Sequence, residues 1–295
     1  KIKEANLAIS NVCQADCLYC PRSSVKHEQK FMAVPMVERI MAEVTSKKFK
    51  AVHPVVRSVL SENGEPFMSP FVLDILRSVR KAGLGITLFS NFALLHPGIS
   101  EMVIKEKLFD AIHVNIDGAY PDSYRAVKKL DLEVVEANIK SFLKVRNGMK
   151  SPIMVFGHVI SHSTYTQAVA KRYGVPPFKG NGHSFLQDGP ETVEKWRKIL
   201  NPEIDNIGED GVFFWAERKN DRPISRDFQC PNLDRVKHVA YINPEGDWYA
   251  CCFDAGNDLV VGNIREASIL DISKSAKRIK LIEKLENRMF EQIGY

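Results

Sequence analysis

Three cysteines, Cys13, Cys17 and Cys20, fall within eight residues in the spacing C-x3-C-x2-C. Thiolates gathered so closely are soft metal ligands. Disulfide stapling does not suit them, because secreted disulfide frameworks are short and cysteine-rich, whereas this chain has six cysteines in 295 residues. Structural zinc takes four ligands in paired spacings, and no fourth stands near this cluster. Bacterial ferredoxin runs are C-x2-C-x2-C, a different spacing. Three thiolates in one loop suit a four-iron cluster with one iron left open for a chelating ligand bearing amine and carboxylate arms. A partial zinc site and buried structural thiols are the plainer alternatives. The other three cysteines, Cys230, Cys251 and Cys252, come late. Clustered free thiols predict a reducing, cytoplasmic compartment.

With the aromatic Tyr19 before its last cysteine, the early segment resembles the cluster loop of the radical S-adenosylmethionine (radical SAM) superfamily. Other positions line up with that family in order. Ser61-Glu62-Asn63-Gly64-Glu65-Pro66 resembles its Gly-Gly-Glu motif, with Asn63 where the first glycine is usual. The resemblance implies that Asn63, Gly64 and Glu65 hold the methionine ammonium of SAM by charge-assisted hydrogen bonds. Ser90-Asn91 is similar to the polar pair that meets the SAM ribose or carboxylate. Asn115-Ile116-Asp117-Gly118 resembles the family's Ser-x-Asp-Gly, and Arg125 is a candidate for the SAM carboxylate. Each alone is an ordinary turn; together they sit at strand ends, where barrel active sites are built. His158, on an expected fifth strand, is read by default as structural.

Cys230 and Cys251 flank Gly246 as C-x15-G-x4-C, with Gly262-Asn263 beyond. This resembles the start of a SPASM or twitch domain and implies Cys230 and Cys251 as ligands of an auxiliary iron–sulfur cluster. The remaining ligands are expected after Tyr295. Cys252 is a small buried hydrophobe or, on the sharper reading, a thiol that returns a hydrogen atom to a carbon radical, as in radical epimerases.

The resemblance implies a [4Fe–4S] cluster with an open iron, bound SAM, and an electron from a reductase such as flavodoxin or ferredoxin. SAM would break to a 5′-deoxyadenosyl radical that takes a hydrogen atom from a substrate C–H bond. Oxidation or epimerisation of a small hydroxylated substrate (sugar, aminocyclitol or nucleoside) is the outcome expected first. Maturation of a ribosomally made peptide, with a short peptide as substrate, is the alternative. A non-enzymatic iron–sulfur electron carrier would explain the cysteines but not Glu65, Asn91 and Asn115 at successive strand ends.

The elements that must position these residues are read from periodicity. Strands are expected at 5–9, 52–60, 85–89, 109–117, 153–160 and 212–216, and helices at 35–45, 71–81, 99–107, 132–145 and 193–200. Strands separated by helices imply parallel βαβ units. The class is therefore α/β, and the resemblance makes it a partial (β/α)6 TIM-like barrel over 1–220 with a small α/β SPASM/twitch-like domain over 221–295. Two strands around Pro244-Glu245-Gly246 and a helix over 267–290 are expected in that second part. Composition is ordinary for a globular chain, with 44% hydrophobic and 26% charged residues. The net charge of +5 comes from scattered residues and suits an anionic ligand, not a nucleic-acid platform. No apolar run approaches a membrane span.

Overall fold

Strand β1 (Glu4–Leu7) reads Glu-Ala-Asn-Leu, an alternation suited to a half-exposed strand, yet all four residues are buried. The reason is its neighbours. β1 runs parallel to both β2 (Arg57–Leu60) and β7 (Val239–Ile242), with Leu7 opposite Leu60 on one side and Ile242 on the other. The Glu4 carboxylate is compensated by Arg57 Nε at 3.0 Å and Arg235 Nη2 at 3.2 Å. The computed structural model describes residues 1–17, 20, 22, 28–60, 64–161, 189–211, 229–254 and 256–293. The expected domain boundary near 220 and the expected strand at 212–216 lie outside these.

The chain divides into two compact units, one of Lys1–Val12, Ser24–Ile86 and Trp215–Tyr295, the other of Cys13–Ser23 and Thr87–Phe214. In the first, β7 continues through antiparallel β8 (Asp247–Tyr249) and β9 (Val260–Asn263). Gly246 adopts φ +89° in the turn between β7 and β8, so the turn expected there forms as glycine chemistry dictates. Helix α1 (Val34–Thr45) starts at a proline and buries Val37, Ile40, Met41 and Val44; after the short α2 (Lys47–Lys50), α3 (Val72–Lys81) buries Val72, Ile75, Leu76 and Val79. Both show the i, i+3, i+4, i+7 stripe of an amphipathic helix.

The second unit is all-parallel. Register pairs Phe89 of β3 (Gly85–Phe89) with His113 of β4 (Ala111–Asn115), and Asn115 with His158 of β5 (Met154–Ser161). β6 (Asn206–Gly211) lies beside β5. Helices α4 (Pro97–Lys105), α5 (Pro121–Lys128), α6 (Leu132–Gly148) and α7 (Gly189–Arg197) alternate with the strands. Among the described residues no helix is long and apolar enough to cross a membrane.

The long helix expected over 267–290 is instead two. After α8 (Leu233–His238) come α9 (Ile269–Ser273) and α10 (Ala276–Glu286), and Ser268 and Ser275 each cap one by accepting a backbone N–H. α9 ties the amino end down through His53. The Ile2 N–H donates to His53 Nδ1 at 3.1 Å, and Nε2 lies 2.8 Å from the Ser273 hydroxyl. An accepting Nδ1 leaves the neutral ring's proton on Nε2. Burial, seconded by nearby positive charge, lowers the His53 pKa from 6.5 to about 4. Below pH 6.5 the unfolded chain therefore binds a proton that the folded chain refuses until about pH 4. This contribution to stability is intact above that window and lost as pH falls through it. Urea midpoints at about pH 7.5 and about pH 5 will show wild type losing more stability than His53→Gln; equal losses would absolve His53.

Candidate active site

In the first unit the segment after β2 approaches the backbone that leads into the cysteine loop. Glu65 N–H donates to the Val12 carbonyl at 2.8 Å. A Cβ on Gly64 would lie 2.4 Å from the Ser10 carbonyl oxygen and 2.8 Å from that of Val12, so no side chain fits there and the glycine is a packing requirement. Asn63 lies outside the described residues. Glu65 is buried, and its Oε1 accepts the Phe67 N–H at 3.2 Å, capping the 3-10 turn Pro66–Met68.

In the second unit the cysteine loop is pinned at several points. Asp16 N–H donates to the Lys128 carbonyl at 3.3 Å, Arg22 to the Ala15 carbonyl at 2.6 Å, and Cys20 N–H to the Cys17 carbonyl at 2.9 Å. The Asn91 amide donates to the Cys13 sulfur at 3.7 Å while its Oδ1 accepts from Gln14 Nε2 at 3.1 Å. Cys13 and Asn91, 78 residues apart, are thus brought together. Ser90 is buried and accepts the Phe92 N–H. Tyr19 lies outside the described residues.

Cys17 meets a residue that sequence reasoning missed. Lys128, the last residue of α5, bonds the Cys17 thiol and places its Nζ 3.2 Å from Asp117 Oδ2. Burial pushes the Cys17 thiol up, and the ammonium opposes it. Arg125 is exposed and lies 3.6 Å from Asp131. Asn115 ends β4, half-buried, opposite His158. His158 has an unforeseen partner, since its Nε2 lies 2.7 Å from His113 Nδ1. His113 in turn stacks with Phe89 and Phe156 at 4.5 and 4.8 Å between ring centroids.

In the carboxy-terminal part of the first unit Cys251 and Cys252 share a thiol hydrogen bond that lowers the Cys251 pKa and raises that of Cys252. Asn232 Nδ2 donates to both sulfurs, at 3.8 and 4.0 Å, and the Tyr241 hydroxyl to Cys252 at 3.8 Å. Burial pushes the Cys230 thiol up. None of the six cysteines forms a disulfide.

The donor sets fit iron–sulfur clusters. Among the described residues no three Cys, His, Asp or Glu side chains converge to hold a single metal ion. A cubane does not ask for that, because each thiolate binds a different iron and the sulfurs stay apart. Lys128 and Asn91 beside the early thiols supply the cation and N–H donor that thiolates want around them.

Comparison with known proteins agrees. The sequence model of the Radical SAM superfamily matches residues 7–163, and that of SPASM, an iron–sulfur cluster-binding domain, matches 230–292. A "UPF0026 protein" of Helicobacter pylori is 23% identical over 141 residues, 46% of this chain and 45% of that protein. A "Probable GTP 3′,8-cyclase" of Methanocaldococcus jannaschii is 28% identical over 151 residues, 49% of this chain and 47% of that protein. The chain thus spans about half the length of the curated relatives it matches. Among solved structures, BtrN in complex with AdoMet and 2-DOIA superposes with a TM-score of 0.58 at 13% identity, over 99% of this chain and 90% of that one. anSMEcpe with bound AdoMet gives 0.63 at 12%, over 96% and 83%. SuiB of Streptococcus suis with S-adenosylmethionine gives 0.59 at 15%, over 93% and 66%. At these identities the likeness speaks to the fold, and the fold is the expected one: a partial (β/α)6 TIM-like barrel with a small α/β cluster domain.

Proposed function

This chain belongs to the radical SAM superfamily and contains a SPASM domain, and on that premise we propose that it oxidises a C–H bond of a small hydroxylated substrate such as a sugar, aminocyclitol or nucleoside. The family binds a [4Fe–4S] cluster and SAM, and the SPASM domain binds an auxiliary iron–sulfur cluster. When bound, they supply the 5′-deoxyadenosyl radical that takes the substrate hydrogen and an acceptor for the electron left behind.

The chain's own residues divide the remaining work. Cys13, Cys17 and Cys20 are assigned as ligands of the first cluster, Cys230 and Cys251 as ligands of the second. Asn63, Gly64 and Glu65 receive the SAM ammonium, Ser90 and Asn91 its ribose or carboxylate, Asn115 is a further SAM contact, and Arg125 takes the carboxylate. Tyr19, next to Cys20 in the sequence, is assigned to the same cofactor site. Asn91 donates to Cys13, and Asp117 acts through Lys128. The domains are read as a barrel over 1–220 and a cluster domain over 221–295, with a flavodoxin or ferredoxin as electron donor in the cytoplasm.

The observation that carries oxidation over epimerisation is Cys252. Its sulfur is engaged by Cys251, Asn232 and Tyr241, all in the carboxy-terminal part, which favours a packing role over hydrogen donation to a substrate. Turnover in D2O will leave the product carbon without solvent deuterium, and deuterium there would instead make Cys252 a hydrogen donor. Cys251→Ala will lower iron by one cluster's worth, about four irons, while uncoupled 5′-deoxyadenosine release continues. Unchanged iron would end the Cys251 assignment.

The small-substrate reading is supported by the coverage of BtrN, whose solved complex holds 2-DOIA. A peptide reading has its own support, since SuiB has been solved with precursor peptide SuiA and anSMEcpe with the Kp18Cys peptide. Stimulation of 5′-deoxyadenosine release by aminocyclitols against short peptides decides between them.

A further inference from the structure

Lysine is seldom buried without a partner. Lys128 is 4% exposed, as is Asp117, and their charged atoms are 3.2 Å apart. Such a pair is poor evidence of stabilisation, because desolvating two charges offsets most of their attraction. Its position suggests another use. Lys128 closes α5, its carbonyl holds the Asp16 N–H immediately before Cys17, and its ammonium reaches the Cys17 thiol. The next residue, Lys129, adopts φ 57° and ends the helix there, which fixes where the ammonium can reach.

We infer that the Lys128–Asp117 pair sets the reduction potential of the cluster bound by Cys17. The inference rests on the assignment of Cys17 as a cluster ligand. Reduction adds one negative charge to a cluster. A buried cation and N–H donor at a ligating sulfur favours that added charge, and a buried carboxylate beside the cation opposes it. Low local dielectric lets both effects reach the sulfur unscreened. The two side chains therefore act with opposite sign on one equilibrium. Lys128 eases the entry of the electron, and Asp117 keeps the reduced cluster energetic enough to pass it on.

The test is the midpoint of the first cluster, followed by EPR in a redox titration of the anaerobically reconstituted chain. Lys128→Met will shift the reduction equilibrium at least tenfold toward the oxidised form, about 59 mV for one electron. Asp117→Asn will shift it in the opposite direction, and Lys128→Arg, which keeps the charge, will stay near wild type. A residue that served only packing would lower iron content in these variants without moving the midpoint in opposite senses. Unmoved midpoints, shifts of the same sign, or a Lys128→Arg shift as large as that of Lys128→Met would overturn the inference. Should Lys128→Met fail to hold iron, Asp117→Asn decides alone: a raised midpoint supports the pair and an unchanged one refutes it. Cys17→Ser with full iron and an unaltered EPR signal would instead strike the ligand assignment beneath it, a distinguishable failure.

Discussion

Cys17→Ala abolishes 5′-deoxyadenosine release from SAM, a loss expected to exceed the roughly 10- to 100-fold that follows removal of an outer-shell partner of a metal ligand. Alanine offers no donor atom, and three ligands in one loop leave none to spare. The fold should survive. The segment before residue 17 is held through main-chain groups, Asp16 N–H to the Lys128 carbonyl, which the substitution does not touch. The assay is anaerobic reconstitution, iron and sulfide determination, then incubation with SAM and dithionite. Wild type releases 5′-deoxyadenosine and the variant does not, while far-ultraviolet circular dichroism of the two coincides. Undiminished cleavage by Cys17→Ala would remove the first-cluster assignment. Absence of cleavage by wild type would favour an electron carrier.

What the sequence made legible here depended on how far each feature reached along the chain. The C-x3-C-x2-C loop was plain because covalent spacing confines its three thiols. β3 was read at its observed bounds, and α3 to within one residue, because their periodicities are clean. α5 was missed. Its eight residues carry few apolar positions, though Pro121 at its start and buried Tyr124 and Val127 at i, i+3 were available signals. With α5 went Lys128, whose meaning lies in a contact with Cys17 more than a hundred positions away. His158 reads as a structural histidine by default because a single sequence cannot show the strand pairing that lets its ring reach His113, 45 residues earlier and diagonal to it across β4 and β5. β1 shows the converse, since the alternation of Glu-Ala-Asn-Leu is real but two arginines from other elements take the place of water at Glu4.

The same logic of distant partners governs the largest stability effect expected in the chain. Arg146, near the end of α6, is fully buried with no apolar reason to be there. Its guanidinium grips Asp205 with both nitrogens, Nη2 reaching Oδ2 at 2.8 Å, and also donates to the Ile153 carbonyl at 3.1 Å. The carboxylate is filled out by the Val155 and Asn201 N–H groups, each at 2.9 Å. One pair thus joins the end of α6, the start of β5 and the turn that leads into β6, the strands that hold His158 in register. Removing one partner of a buried pair leaves the other charge unpaired and costs about 3–5 kcal/mol. Arg146→Met is accordingly expected to lose that much in urea denaturation, and Asp205→Asn less, because its N–H partners remain. If the loss comes from the stranded carboxylate, the double variant will recover part of it, a coupling of about 1–3 kcal/mol. A single Arg146→Met loss below about 1 kcal/mol would mean the pair is not what keeps β5 in place.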